Sequence, residues 1–301
     1  MTRLKAFIYG MAVAMSCTSC IRENLDQCPP LSINIEVKDK NYDNVEQVDI
    51  SEKVDENQPF NHFIPTLYYR LSRLNDDGSK QMIAEKGVFT VEGDAQTYSV
   101  DFDNSLPFGK YIFTVWGGIP DKKEFNADCT ELSFHPEHAQ GYDVYLSSDT
   151  LQYDAYHSDF VSQMRRTKGK LIIVAENLPS KVRFSGKTVE DLYQQVNANF
   201  DYKGETEVTT RHARRGLDDI VTETYLTPTI QGEESTVDAH FYNDDDDDFS
   251  HPDNSPQDVD ILMRRNELTM LKYVYDEQQD RFHIYVRINN NWEAIHDMDV
   301  E

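Results

Sequence analysis

Cationic side chains are scarce in this sequence. Against 54 Asp and Glu stand only 29 Lys and Arg, a formal charge of -25 over 301 residues. Such a field repels phosphate backbones and anionic headgroups, which excludes nucleic acid as a partner and excludes a polybasic membrane patch. Long apolar runs are missing as well: no stretch of about 18 or more apolar residues is present to make a membrane-spanning helix. Nor does the chain carry a G-x-S-x-G elbow, a Walker loop or an H-E-x-x-H motif, so the expectation is a protein that is not an enzyme. The acid pairs Glu190-Asp191 and Asp218-Asp219 could serve as a glycosidase needs, but in so acidic a chain they read first as surface residues. Cysteines number four and tryptophans two. Aromatics nonetheless reach 11%, with 17 Tyr, enough to supply folded cores and to exclude a wholly disordered chain.

What the N-terminus does contain is an export pattern. Arg3 and Lys5 precede a short apolar run, Ala6 to Met15, followed by the small residues Ser16, Thr18 and Ser19 and then Cys20. A positive flank, an apolar core too short to span a bilayer and small residues before a cut are the parts of a signal peptide. A cysteine at the first mature position looks like a bacterial lipobox, its thiol linked to diacylglycerol. Cys17 competes for the role. Modification at Cys20 leaves two thiols, Cys28 and Cys129, an even number suited to an oxidising compartment, whereas modification at Cys17 leaves three. The expected arrangement is therefore a signal over 1–19, lipid on Cys20 and a linker over 20–30. With no cationic patch, membrane attachment rests on acyl chains, at roughly 0.8 kcal/mol per buried methylene.

Beyond the linker the dominant period is two. Leu31, Ile33, Ile35 and Val37 alternate with polar residues, as do Tyr98, Val100 and Phe102, then Tyr111, Phe113 and Val115. Turn signals such as Asn75-Asp76-Asp77-Gly78 and Glu92-Gly93-Asp94 separate them. A second series follows the polar, basic stretch Ser162 to Lys170, with Leu171 to Ala175, Val237 to Phe241 and the clean alternation Phe282 to Ile288. The expected fold is all-β, two tandem antiparallel β-sandwiches over 31–161 and 162–301. Val189, Leu192, Tyr193 and Val196 stand at helical spacing behind Thr188, predicting one short helix in the second sandwich.

The cysteine is followed by Arg22-Glu23-Asn24-Leu25-Asp26-Gln27-Cys28-Pro29-Pro30 and then the strand from Leu31. This resembles the opening of the FimB-type fimbrial anchor lipoproteins of Bacteroidetes, in which the segment reads acidic-Leu-Ser-x-Cys-Pro; here the Ser is replaced. The resemblance implies transthyretin-like sandwiches, outer-membrane attachment with surface exposure, and a role at the base of a fimbrium (pilus), binding its basal subunit, limiting its length and tethering it. Glu23 and Asp26 resemble the acidic stretch of surface-exposed lipoproteins in that phylum. Related subunits assemble by strand exchange, in which one chain completes another's sheet, and Phe282 to Ile288 has the alternation such a strand needs, though most terminal strands complete their own domain and that reading comes first here.

Other motifs remain to be placed. Cys28 and Cys129 form the candidate disulfide, with free, buried thiols as the alternative. Cys129, His135 and His138 suggest a metal, but Pro136 intervenes and a fourth ligand is lacking, so no metal is expected. Asp244 to Asp248 offers carboxylates for calcium, yet Phe249 and Ser255 stand where an EF-hand loop needs Gly and Glu. The pairs Arg165-Arg166, Arg214-Arg215 and Arg264-Arg265 read as solubilising residues. A different class fits the same composition: a surface glycan-binding lipoprotein of a nutrient-uptake system, with Trp116 and Trp292 as stacking platforms. No cofactor is implied.

Overall fold

A computed structural model describes residues 29–103, 106–243 and 252–295. The first half opens with β1 (Leu31–Val37), in which every second side chain is buried. A slip of one residue would turn Leu31, Ile33, Ile35 and Val37 out to water, so this alternation fixes the register. There follow β2 (Thr66–Leu74), β3 (Lys80–Thr90), β4 (Tyr98–Phe102), β5 (Gly109–Gly117), the three-residue β6 (Glu131–Ser133), β7 (Tyr145–Tyr153) and β8 (Asp159–Arg166). Seven of these form one sheet in the order β3-β2-β5-β7-β8-β1-β4. Strands β7 and β8 share only the pairs Tyr145 with Arg166 and Leu146 with Arg165. The sheet turns there, and its two arms close over a common core that includes Ile33, Leu71, Tyr111, Phe113 and Met164.

The second half continues through β9 (Gly169–Glu176), β10 (Phe184–Asn197), β11 (Tyr202–Ala213), β12 (Ile220–Leu226), β13 (Ser235–Tyr242), β14 (Val259–Ile261), β15 (Leu268–Asp276), β16 (Arg281–Ile288) and β17 (Asn291–Ala294). One sheet runs β11-β10-β13-β14 and the facing sheet β12-β9-β15-β16-β17. Leu171, Val189, Leu192, Val237, Phe241 and Leu271 fill the space between them. The chain is therefore an all-β protein of packed sheets.

Three expectations change. The predicted helix behind Thr188 lies in strand β10, and its helical spacing comes from a bulge: Val189 pairs with Val208 but Leu192 with Thr206. Three steps on one strand against two on its neighbour return Leu192 to the face of Val189, and a spacing of three then imitates a helix. Among the described residues the α-helices are single turns in the first half, Val45–Val48 and Phe60–Phe63. The sheets are not purely antiparallel, since β1 with β8 and β9 with β15 are parallel. Finally, β8 carries the first sheet past the expected boundary at 161 to Arg166, because its register with β1 continues to Met164.

Candidate functional site

Between the halves lies a polar junction built from the polar, basic stretch Ser162 to Lys170. Ser162, Arg166, Thr167, Lys168 and Lys170 are all buried. The Arg166 Nε donates to both carboxylate oxygens of Asp143 (2.9 and 3.1 Å), its Nη1 to the Asn266 side-chain oxygen at 2.7 Å, and its Nη2 to the Tyr145 hydroxyl. The guanidinium also stacks 4.2 Å from the Tyr42 ring centroid. Such a planar fork can satisfy several partners at once where a lysine could not. Asp39 accepts from the Arg166 backbone N–H at 2.9 Å and from Arg265 at 2.6 Å. Asn44 exchanges two hydrogen bonds with the Leu268 backbone, 2.9 and 2.8 Å, extending the β15 edge with a side-chain amide. Lys170 lies between Glu52 (2.7 Å) and Glu223 (2.5 Å). Burial holds the Tyr42 hydroxyl far above the usual tyrosine range, protonated at any physiological pH.

Apolar contacts reinforce the junction. Tyr42, Val45 and Val48 pack on Ile172, Leu268 and Met270, the outer face of the β9-β15 pair. Strand β6, from the long connection between β5 and β7, pairs antiparallel with β10 of the other half. Around it Tyr68, Trp116, Leu132, Phe134, Leu146 and Val196 form a shared cluster.

Beside this cluster opens a cavity of about 240 Å³. Ile119, Leu132, Phe134 and Val144 wall it, and Lys168 reaches into it with 1% of its surface exposed. Its Nζ donates to the Gln140 carbonyl at 3.0 Å and lies 5.0 Å from the Phe134 ring centroid. Burial, only partly offset by Asp143, pushes this amine down to about 7. The adjoining loop is held in the left-handed region at His135, Glu137 and His138 (φ 55°, 54° and 61°), a strained conformation for non-glycine residues. His135 pins it. Its Nδ1 meets the Ala139 carbonyl at 3.0 Å while Nε2 accepts from the Thr227 N–H at 3.4 Å, across the junction. That pairing requires the neutral ring protonated on Nδ1, and burial, helped by the Lys168 charge, lowers its pKa to about 2.

The sequence-derived candidates scatter over this frame. Cys17, Cys20, Cys28 and Asp244 to Asp248 lie outside the described residues. Cys129, unpaired among the described residues, is buried in the cluster around Trp116, whose Nε1 donates to the Cys129 carbonyl at 3.3 Å. Pro29, next to Cys28, accepts a 2.5 Å hydrogen bond from the Tyr153 hydroxyl. Tyr153 belongs to the inner core, whereas Trp116 and Cys129 pack on the outer face of the same sheet. The Cys28–Cys129 disulfide stays a proposal: an unreduced peptide digest is expected to yield a linked Cys28–Cys129 peptide, and separate peptides would overturn it.

His135 and His138 diverge, the first toward Thr227 and the second toward Glu207 at 3.7 Å. Trp116 is fully buried and cannot be a stacking platform, which corrects that expectation. Trp292 is half-buried, with Lys272 at 4.4 Å and Arg287 at 5.3 Å from its ring centroid, so cations already occupy it. Phe282 to Ile288 is strand β16, paired on one side with β15 and on the other with β17, with Phe282, Ile284 and Val286 against the second core. It completes its own sheet. Arg166, read as solubilising, is the centre of the junction. The sequence signal that could have found it, and Lys168 with it, was a stretch of polar residues running from one strand series into the next with Gly169 as its only breaker and no Pro.

The described residues thus define an all-β protein of two sandwiches welded through a buried polar junction. No family model and no curated protein matches the chain. Solved structures do match. A fimbrial anchor protein from Porphyromonas gingivalis superposes with a TM-score of 0.50 at 11% identity, over 88% of this chain and 99% of that one. A candidate adhesin from Bacteroides ovatus gives 0.56 at 13% identity, over 93% and 98%. A candidate polysaccharide-binding protein from Bacteroides thetaiotaomicron gives 0.56 at 9%, over 89% and 98%. At these identities the likeness is one of fold, and it runs through both halves.

Proposed function

We propose that this chain is an outer-membrane lipoprotein, lipid-linked through Cys20, that tethers a fimbrium to the cell surface and limits its length by binding the basal fimbrial subunit. The observation that carries this reading is the fold shared over 88% of this chain with a fimbrial anchor protein. The export pattern up to Cys20 and the segment Glu23 to Pro30 support it from the sequence. The welded junction suits the role, because a tether under load gains from halves that cannot swing apart. Since β16 is paired on both sides, a strand exchanged with the partner would add to an outer edge, where backbone groups are free to pair.

Deleting the gene is expected to leave fimbriae shed from cells or abnormally long under electron microscopy. Fimbriae of normal length and attachment would overturn the reading. Cys20→Ser is expected to release the protein from membranes in cell fractionation, and retention would assign the lipid to Cys17. The glycan-binding alternative rests on the likeness to a candidate polysaccharide-binding protein, but the two tryptophans it relied on are buried or occupied.

A further inference from the structure

Of the buried Lys and Arg that the structure describes, two meet a carboxylate: Arg166 has Asp143, and Lys170 has Glu52 and Glu223. Lys168 and Lys187 do not. The Lys187 ammonium donates to the Thr222 hydroxyl at 3.0 Å and faces a space of only about 20 Å³, room for a single water. Lys168 is different, because its one hydrogen-bond acceptor, the Gln140 carbonyl, leaves two of its three N–H donors for whatever fills a cavity of about 240 Å³. An ammonium taken out of water without a counter-charge is costly. In a chain with 54 acidic residues a carboxylate partner was readily available, and among the described residues none pairs with the Lys168 ammonium. Ile119, Leu132, Phe134 and Val144 supply the apolar walls, and Asp121, Lys123, Glu124, His135 and Tyr142 join the lining. Gly141, with φ +65°, lies so close that a Cβ there would stand 3.3 Å from Nζ, and its bare backbone keeps the space in front of the amine open. The left-handed residues His135, Glu137 and His138 hold the adjoining loop.

We propose that this cavity binds an apolar group ending in a carboxylate, with the acid on the Lys168 ammonium and the apolar body against Phe134 and its neighbours. A concave apolar site with one fixed polar group is the usual form of a small-molecule pocket. The bound anion supplies the counter-charge the amine lacks, so binding favours the protonated amine. Affinity therefore falls as pH rises above neutral, where the free amine, whose pKa burial brings down to about 7, gives up its proton. The ligand chemistry has two sources, a small free acid or the C-terminal residue of a polypeptide, and the proposal stands independently of the fimbrial reading.

Calorimetric titration of the purified protein tests it with 3-phenylpropionate, its neutral amide, the peptide Gly-Gly-Phe and the same peptide amidated. At pH 7 one of the acids is expected to bind at least about tenfold more tightly than its amide, with the preference lost in Lys168→Met and shrinking in the wild type by pH 9. Binding of 3-phenylpropionate alone assigns a small acid, and binding of the peptide alone assigns a chain terminus. Equal binding of acid and amide, or no binding of either acid at about 10 mM, overturns the proposal without any variant having to fold.

Discussion

Arg166→Ala is expected to destabilise the protein by about 3–5 kcal/mol, read as a fall in the denaturant midpoint, because removing one partner of a buried ion pair strands the other. Asp143 would lose both its hydrogen bonds from Nε, Asn266 its donor to the side-chain oxygen, and the Tyr145 hydroxyl its guanidinium. Tyr42 would lose the cation on its ring. The loss should concentrate at the junction. Asp39 would still be held by Arg265 and by the backbone N–H of residue 166, so the first sandwich keeps its own core while its grip on β15 loosens. Arg166→Lys should recover little, since an ammonium cannot reach Asp143, Asn266 and Tyr145 together. By contrast, Arg166→Met combined with Asp143→Leu removes both charges and should recover most of the loss. If Arg166→Ala shifts the midpoint no more than a surface substitution does, within about 0.5 kcal/mol, the junction is not what couples the halves.

That residue also shows where the sequence could be read and where it could not. Strands with one wet face announced themselves: β1 and β4 alternate, and the alternation is the burial pattern of a half-covered sheet. Strand β15 gave no such signal. Its residues Leu268, Met270, Leu271 and Tyr273 are buried, some against the second core and some against the helical turn at Val45–Val48, and burial on both faces erases period two. Edge strands β3 and β11 failed for the opposite reason, being mostly exposed and polar. At β10 a single bulged residue turned a period of two into a spacing of three. The site was harder still. A basic run between two strand series has the composition of a solvated linker, and only the tertiary placement of Asp39, Asp143 and Asn266, far apart in sequence, makes Arg166 an interior residue. Charge composition alone cannot distinguish a solvated cation from one whose partners arrive from elsewhere in the chain.

Lys168→Met should raise stability at pH 7, and the gain should shrink as the pH rises. The amine has a pKa near 7 in the folded protein against an ordinary 10.5 when exposed. Between those values the unfolded chain holds a proton that the folded one does not, so stability due to this group increases with pH. Below about 7 both states are charged and the full cost of burying the ammonium is present; toward 10.5 it is relieved. Each unit in that window is worth about 1.4 kcal/mol, so the advantage of the variant should be roughly 3 kcal/mol greater at pH 7 than at pH 9. The comparison is a difference between two proteins sharing every other ionisable group, including Asp143 and His135, which lie closest to the amine in its electrostatics. Denaturant titrations at pH 6, 7, 8 and 9 would show it as two curves that converge. Parallel curves would mean that Lys168 keeps its proton throughout, and hence that the folded protein supplies it with a counter-charge. A saturating apolar acid should have that same effect on the wild type, flattening its pH dependence toward that of the variant, because a bound carboxylate restores the proton that burial removed.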